Sequence, residues 1–178
     1  RDSVASRGLG DVYKRQRNKD WKLIIVPNKF NDERIKAIEK QYAGSCVRYT
    51  RATMENIHNA NCMIIDCFGL LSKVYKYGNI AFVGGSFGRG VHNVLEAAVY
   101  GIPVVVGPEN NRSCEAQSLI ACGGIVEAHD AYDFGEKIKT IAGDADYSAR
   151  IGVTAGSYVK KNAGVTARIF NEIEKQNI

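Results

Sequence analysis

Short apolar runs alternate along the chain with longer segments whose apolar residues recur every three or four positions. The short runs are rich in valine and isoleucine, which indicates buried strands of a parallel sheet. The longer segments have the period of helices that bury one face. The predicted strands are WKLIIVP (21–27), VRYT (47–50), CMIIDC (62–67), NIAFVGG (79–85), PVVVG (103–107) and GGIVEA (123–128).

Helical segments follow each of these strands. Asn31 or Asp32 is suited to cap the first of them, and the last is expected to break near Asn162-Ala163-Gly164. Because strands and helices alternate without hairpin signals, the pattern predicts an α/β fold with a doubly wound parallel sheet. The predicted helices are 31–43, 52–60, 68–78, 92–101, 113–124, 131–143 and a final one from about Asp146.

Composition is that of an ordinary globular chain of 178 residues, with 45% hydrophobic and 24% charged residues. The net charge of +5 comes from scattered basic residues, which argues against nucleic acid and suits an anionic small ligand or membrane surface. No apolar run is long enough to span a membrane, and the five cysteines form no CxxC pair. We therefore expect a soluble chain with reduced thiols and no metal site.

The first sixteen residues, RDSVASRGLGDVYKRQ, are polar and aperiodic and do not lead into the strand that follows. They resemble a translated sequencing adaptor, so we exclude 1–16 from the fold and assign 17–178 to one domain. On this interpretation the natural chain has been cut upstream.

A glycine-rich loop, GGSFGRG, joins the fourth predicted strand to the helix after it. Gly84 and Gly85 begin this loop, and Ser86 and Arg89 add a hydroxyl and a positive charge. Glycines let a ligand approach the backbone, and a following helix start favours a phosphate. The spacing is neither a dinucleotide-binding fingerprint nor a Walker loop, and a glycine-rich turn alone is weak evidence.

Three polar residues, His92, Asn93 and Glu96, follow the loop. At a helix start, His92 and Asn93 would point away from the core, and Glu96 one turn later can reach the same pocket. A carboxylate there suits ribose hydroxyls, which are hydrogen-bond donors. The alternative is that Glu96 is a solvated or capping acid beside Asn93 as N-cap.

The segment GGSFGRGVHNVLEAAVYGIPVVVGP resembles the donor-binding segment of the 3-deoxy-D-manno-octulosonic acid (Kdo) transferases. The resemblance extends from Trp21 to Ile173, through IIDCFGLLSKVYKYGNIAFVGG and KKNAGVTARI. It implies the Rossmann-like C-terminal half of a two-domain GT-B glycosyltransferase, without its first strand. It also implies transfer of Kdo from CMP-Kdo to a lipid A precursor in lipopolysaccharide biosynthesis, by an inverting reaction that needs no metal or cofactor.

The resemblance assigns donor-binding roles residue by residue. The positions that match are Gly69, Leu70, Gly84, Gly85, Ser86, Arg89, His92, Asn93 and Glu96. The family has an acid where Leu70 stands, and Asn28, Lys29 and Ser113 also depart from its pattern.

The family's general base is a carboxylate of the N-terminal domain, so no catalytic base is assigned to this chain. That domain would also bring the acceptor and the cytoplasmic face of the inner membrane, and we expect this chain alone to be inactive. Two other functions are open: a UDP-sugar transferase or epimerase of the same fold, and a non-catalytic nucleotide-binding module.

Overall fold

A computed structural model describes residues 21–28, 31–42 and 44–176. Two compact units divide the chain between Val74 and Tyr75, and each contains its own parallel sheet. The predictions for residues 1–16 and for Lys29 lie outside the described residues. Across the described residues, every helix is too short or too polar to cross a bilayer.

The first unit contains a three-stranded parallel sheet in the order β1-β3-β2. Ile35, Cys62 and Ile64 form its core. The strand predicted at 21–27 was expected to be buried, but Ile24 is exposed because it points to the opposite face of the sheet from Leu23 and Ile25, which pack on the core. The elements are β1 (Leu23–Ile25), α1 (Asp32–Gln41), β2 (Cys46–Arg48), a 3-10 turn (Tyr49–Arg51), α2 (Met54–His58), β3 (Cys62–Ile64) and α3 (Leu71–Val74).

Side-chain hydrogen bonds fasten α1 to its surroundings. The Asn31 side chain caps α1 by accepting a hydrogen bond from the Arg34 N–H (2.8 Å), as its position predicts. Near the C-terminal end of α1, the Glu39 carboxylate accepts two hydrogen bonds of 2.7 and 2.9 Å from the buried Arg48 guanidinium. The guanidinium also binds Asp32 at 2.9 Å. These bonds lower the pKa of Glu39 and raise that of Arg48, although partial burial opposes both shifts.

The second unit contains a parallel sheet in the order β4-β5-β6. Its core includes Leu119, Ala97 and residues of β5, all of which are fully buried. The predicted helix break is confirmed, because the last two helices are separated at 163–164 and Gly164 has a φ of +79°. The elements are a 3-10 turn (Tyr75–Tyr77), β4 (Ala81–Phe82), α4 (Leu95–Ala98), β5 (Val104–Val106), α5 (Cys114–Ala121), β6 (Ile125–Glu127), α6 (Ala131–Gly143), α7 (Ala145–Asn162) and α8 (Val165–Gln176).

Helix α7 packs very closely on the turn between α4 and β5. A Cβ atom at Gly152 would lie 2.1 Å from the carbonyl oxygen of Gly101, and one at Gly156 would lie 3.3 Å from the Gly101 Cα atom. Small residues on α7 therefore let the helix backbone touch the chain just before β5.

Candidate functional site

The glycine loop leaves the carboxyl end of β4, the edge of a parallel sheet where ligands usually bind. The Gly85 carbonyl oxygen accepts hydrogen bonds from the N–H groups of Gly88 (3.0 Å), Arg89 (3.1 Å) and Gly90 (3.3 Å). The Gly85 carbonyl oxygen therefore accepts hydrogen bonds from three amides, and the loop forms a tight turn. Arg89 lies in this turn with an exposed side chain.

Gly85 has no room for a side chain. Its φ is +94°, and a Cβ atom there would lie 2.3 Å from the Gly90 carbonyl oxygen. The same atom would lie 3.2 Å from Nε2 of His92, so the imidazole ring packs beside the Gly85 backbone. The fold thus brings together Gly85 and His92, two of the predicted site residues.

Consecutive backbone amides at the start of the loop are available as donors. The N–H groups of Gly84, Gly85, Ser86 and Phe87 donate no hydrogen bond to any residue that the structure describes. A Cβ atom at Gly84 would meet nothing within 4 Å, so the backbone there borders open space. Successive free amides in a turn are suited to bind an anionic oxygen.

The Ser86 side chain points into the protein. The residue is 0% exposed, and its Oγ accepts a hydrogen bond from the Gly107 N–H (2.6 Å) and faces the Val83 carbonyl oxygen at 3.5 Å. The hydroxyl is therefore engaged internally. Because the whole residue is buried, neither the hydroxyl nor the N–H of Ser86 is exposed, and the donor-binding role of this residue stays a prediction.

The helix after the loop begins later than predicted. Residues 92–101 were expected to be helical, but α4 begins at Leu95. The Leu95 N–H donates to the Asn93 side chain (3.0 Å), whereas the His92 N–H donates back to the Gly84 carbonyl oxygen (3.1 Å). The chain at His92 therefore stays extended against the loop, and the predicted helix start at His92 or Asn93 is wrong by two to three residues.

Asn93 and Glu96 are in direct contact. The Asn93 amide donates a hydrogen bond to Oε1 of Glu96 (3.1 Å), and both side chains reach solvent, Asn93 more than Glu96. Burial raises the pKa of the nearby Tyr75 hydroxyl, and the negative charge of Glu96 raises it further. Glu96 is therefore an oriented carboxylate bordered by an amide and a phenol.

Gly69 and Leu70 lie in the first unit. Gly69 has a φ of +82° with open space where a side chain would stand, and the Leu70 carbonyl oxygen accepts from the Lys73 and Val74 N–H groups at the start of α3. Their contact with a nucleotide stays a prediction.

A second loop, residues 107–110 after β5, supports the glycine loop and was missed by the sequence reasoning. The Glu109 N–H donates to the Ser86 carbonyl oxygen (2.8 Å), and the Glu109 carbonyl oxygen accepts from the Val91 N–H (3.0 Å). Asn110 beyond it is 1% exposed. The available signal was a run of polar residues, GPENN, directly after a buried strand.

Acidic and sulfur-containing side chains do not converge on one point. Within 21–28, 31–42 and 44–176, no three His, Cys, Asp or Glu residues are grouped so that they could hold a metal ion.

Comparison with known proteins finds several transferases of one kind and a bifunctional glycosyltransferase/methyltransferase of Fusobacterium nucleatum (28% identical over 174 residues, 94% of this chain and 26% of that protein). The chain is similar to 3-deoxy-D-manno-octulosonic acid transferases of Aquifex aeolicus (35% identical over 92 residues), Rickettsia prowazekii (30% over 121) and Bordetella pertussis (28% over 151). These matches cover 51%, 64% and 83% of this chain, but only 25%, 25% and 35% of the relatives. The resemblance read from the glycine-loop motif is confirmed. No family model matches the chain.

The fold also matches a solved structure, the C-terminal CMP-Kdo binding domain of WaaA from Acinetobacter baumannii. The TM-score is 0.74 at 22% identity, over 89% of this chain and 82% of that domain. This likeness confirms the predicted α/β class with parallel strands, as found in the C-terminal half of a GT-B transferase.

Proposed function

We propose that this chain is the donor-binding part of a Kdo transferase and that its glycine loop binds CMP-Kdo. The observation that carries the proposal is a row of free amides with His92 packed beside Gly85, followed directly in the chain by the hydrogen-bonded pair Asn93 and Glu96. The similarity to Kdo transferases supports the identity of the ligand, because the matched segment includes this loop.

The proposed roles follow from the chemistry of each group. The amides of Gly84, Gly85 and Phe87 would donate hydrogen bonds to the phosphate of CMP or to the sugar carboxylate. Arg89 and His92 would add positive charge or a further donor beside them. Preorganised donors of this kind stabilise the negative charge that grows on the departing phosphate when the sugar–phosphate bond breaks.

Glu96 is the proposed ribose ligand. Its carboxylate accepts one hydrogen bond from Asn93 and has further lone pairs that can accept from two neighbouring hydroxyls. The contact with Asn93 holds the carboxylate in one orientation before the nucleotide arrives. This arrangement needs no metal ion.

The activity of the whole protein is also a proposal, because the chain spans only about a quarter to a third of its relatives. We infer that the complete enzyme transfers Kdo to a lipid A precursor at the cytoplasmic face of the inner membrane. The general base and the acceptor site would belong to the other domain of such an enzyme.

Titration with matched nucleotides tests the donor class. We expect CMP to bind more tightly than UMP or UDP in calorimetry. We also expect Glu96→Gln to weaken CMP binding about 10-fold or more, since a hydrogen bond to a charged group contributes ~1.5–3 kcal/mol. Glu96→Gln preserves an acceptor for Asn93, so it removes charge with little change in shape.

A control variant separates this effect from a general loss of negative charge. Glu136 is an exposed acid on α6, paired with Lys139 at 2.7 Å. Glu136→Gln should leave CMP affinity unchanged. Preferential UDP binding would point to a UDP-sugar enzyme, and a folded chain that binds none of the nucleotides would contradict the proposal.

A further inference from the structure

Asn110 is a buried polar residue with all of its hydrogen-bonding groups satisfied. Its amide nitrogen donates to the Gly107 carbonyl oxygen (2.7 Å) and to Oε2 of Glu127 on β6 (2.5 Å). Its carbonyl oxygen accepts a hydrogen bond from the side chain of Gln117 on α5. One carboxamide thus joins the loop after β5 to a strand and to a helix.

The loop that Asn110 holds forms the back of the glycine loop. Gly107 donates to the buried Ser86 hydroxyl, and a Cβ atom at Gly107 would lie 2.8 Å from both the Ser86 carbonyl oxygen and the Phe87 ring. Glu109 adds the two backbone hydrogen bonds to Ser86 and Val91. Any displacement of residues 107–109 would therefore move the peptides between Ser86 and Val91.

We propose that Asn110 is a positioning residue for the donor site. Its carboxamide holds residues 107–109 against Ser86 and Val91 and so sets the direction of the free amides of Gly84, Gly85 and Phe87. This inference rests on the proposed function, because those amides are the proposed phosphate donors. Asn110 itself lies behind the loop and need not touch the ligand.

The substitution Asn110→Asp tests this role at nearly constant volume. It replaces the amide that donates to Glu127 and to the Gly107 carbonyl oxygen with a second carboxyl group. Two carboxyl groups at this short distance cannot both be ionised without repulsion. The other titratable groups that face Glu127 are His129, with Nδ1 3.4 Å from Oε1, and Lys137, which binds the Glu127 carbonyl oxygen. Both are present in the variant and in the natural chain, and the new carboxyl would lie closer to Glu127 than His129 does.

The expected effect of Asn110→Asp has a pH signature. At pH 8 both carboxyls favour ionisation, the segment 107–109 is displaced, and the Kd for CMP rises about 10-fold or more relative to the natural chain. At pH 5 the pair can share a proton, which removes the repulsion, so the ratio of the two Kd values should be smaller than at pH 8. The CMP phosphate has the same protonation state in both titrations at a given pH, so its effect on the Kd cancels in the ratio.

A compensating variant and a stability control complete the experiment. Asn110→Asp combined with Glu127→Gln removes the repulsion between the two carboxyls but does not restore the donor to the Gly107 carbonyl oxygen, so it should recover about 3-fold or more of the pH 8 affinity that Asn110→Asp loses. Ile141 is a buried residue of α6 and lies outside the loop. Ile141→Val should lower the free energy of unfolding and leave the Kd for CMP unchanged. Gln117→Ala is a milder variant that should perturb the same loop if Asn110→Asp does not fold.

Amide chemical shifts of Gly84 to Val91 in the full chain give a readout that needs no ligand. Asn110→Asp, or Gln117→Ala in its place, should move these resonances, and Ile141→Val should not. If the natural chain does not bind CMP, the proposed function fails while the shifts still test the positioning role. If it binds CMP and the variants bind equally with unmoved loop resonances, the positioning role is overturned and the proposed function stands.

Discussion

Two adjacent glycines in the loop predict opposite responses to the same substitution. Gly85 has a φ of +94° and would place a Cβ atom 2.3 Å from the Gly90 carbonyl oxygen. Gly84 is outside the positive-φ region and would place its Cβ atom in open space. Gly84→Ala is therefore a matched control for Gly85→Ala, one residue away in the same loop.

The magnitude for Gly85→Ala has two parts. A left-handed conformation costs an alanine ~1–2 kcal/mol. The contact with Gly90 is about 1 Å too short for an ordinary van der Waals distance, and overpacking of this kind costs ~1–3 kcal/mol. We therefore expect Gly85→Ala to lower the free energy of unfolding by ~2–5 kcal/mol, and Gly84→Ala to change it by less than ~0.5 kcal/mol.

Urea unfolding, monitored by far-UV circular dichroism, measures the free energy of unfolding of both variants. CMP titration of the same samples adds a functional test, because the methyl group of Gly84→Ala would stand in the open space beside the free amides. We expect that variant to keep its stability and to lose CMP affinity by about 10-fold or more. Equal stability of Gly85→Ala and the natural chain would refute the steric argument, and unchanged CMP affinity in Gly84→Ala would show that no ligand approaches this backbone.

Three further predictions concern the scaffold. Gly152→Ala should lower the free energy of unfolding by ~2–3 kcal/mol despite the better helix propensity of alanine, because its Cβ would lie 2.1 Å from the Gly101 carbonyl oxygen. Gly143→Ala at the end of α6 meets no atom within 4 Å and should leave the urea midpoint unchanged or slightly raised; a similar loss in both variants would contradict the packing argument. Glu39→Gln should lower the free energy of unfolding by ~1–2 kcal/mol at pH 7. Hydrogen bonds from Arg48 lower the pKa of Glu39, so its contribution is present above the ordinary value of 4.5 and is lost as the pH falls below it. The difference between Glu39→Gln and the natural chain should shrink in urea titrations below pH 4.5, and a constant difference would exclude this linkage. Burial raises the pKa of the Cys62 thiol, whereas Cys114 and Cys122 are exposed. Iodoacetamide should label the two exposed cysteines of the folded chain first, and equally fast labelling of Cys62 would show that β3 is not protected.

Local patterns in the sequence were sufficient for the order and type of the elements. Apolar runs with β-branched residues located the strands, and Asn31 located the start of α1, because strand burial and capping depend on residues only a few positions apart. Gly164 similarly located the break between the last two helices. The same local logic placed the glycine loop at the carboxyl end of β4.

Tertiary contacts decided what the polar groups of the loop do. Ser86 was expected to offer its hydroxyl to a ligand, but the partner of that hydroxyl is the Gly107 N–H, 21 residues further along the chain. His92 stays outside α4 because its N–H donates to Gly84 and Val91 beside it is held by Glu109. Gly107 and Glu109 belong to the loop after the neighbouring strand β5, and no local pattern in the sequence predicts their contacts.

The sequence by itself therefore determined the α/β class, the glycine loop and the resemblance to Kdo transferases. Only the tertiary structure decided which atoms of the loop face inward, where α4 begins and how Asn110 supports the site. These features depend on contacts between the loop after β5 and the loop after β4. The physical reason is that a buried hydrogen bond is specified by both of its partners, and here the second partner lies far away in the chain.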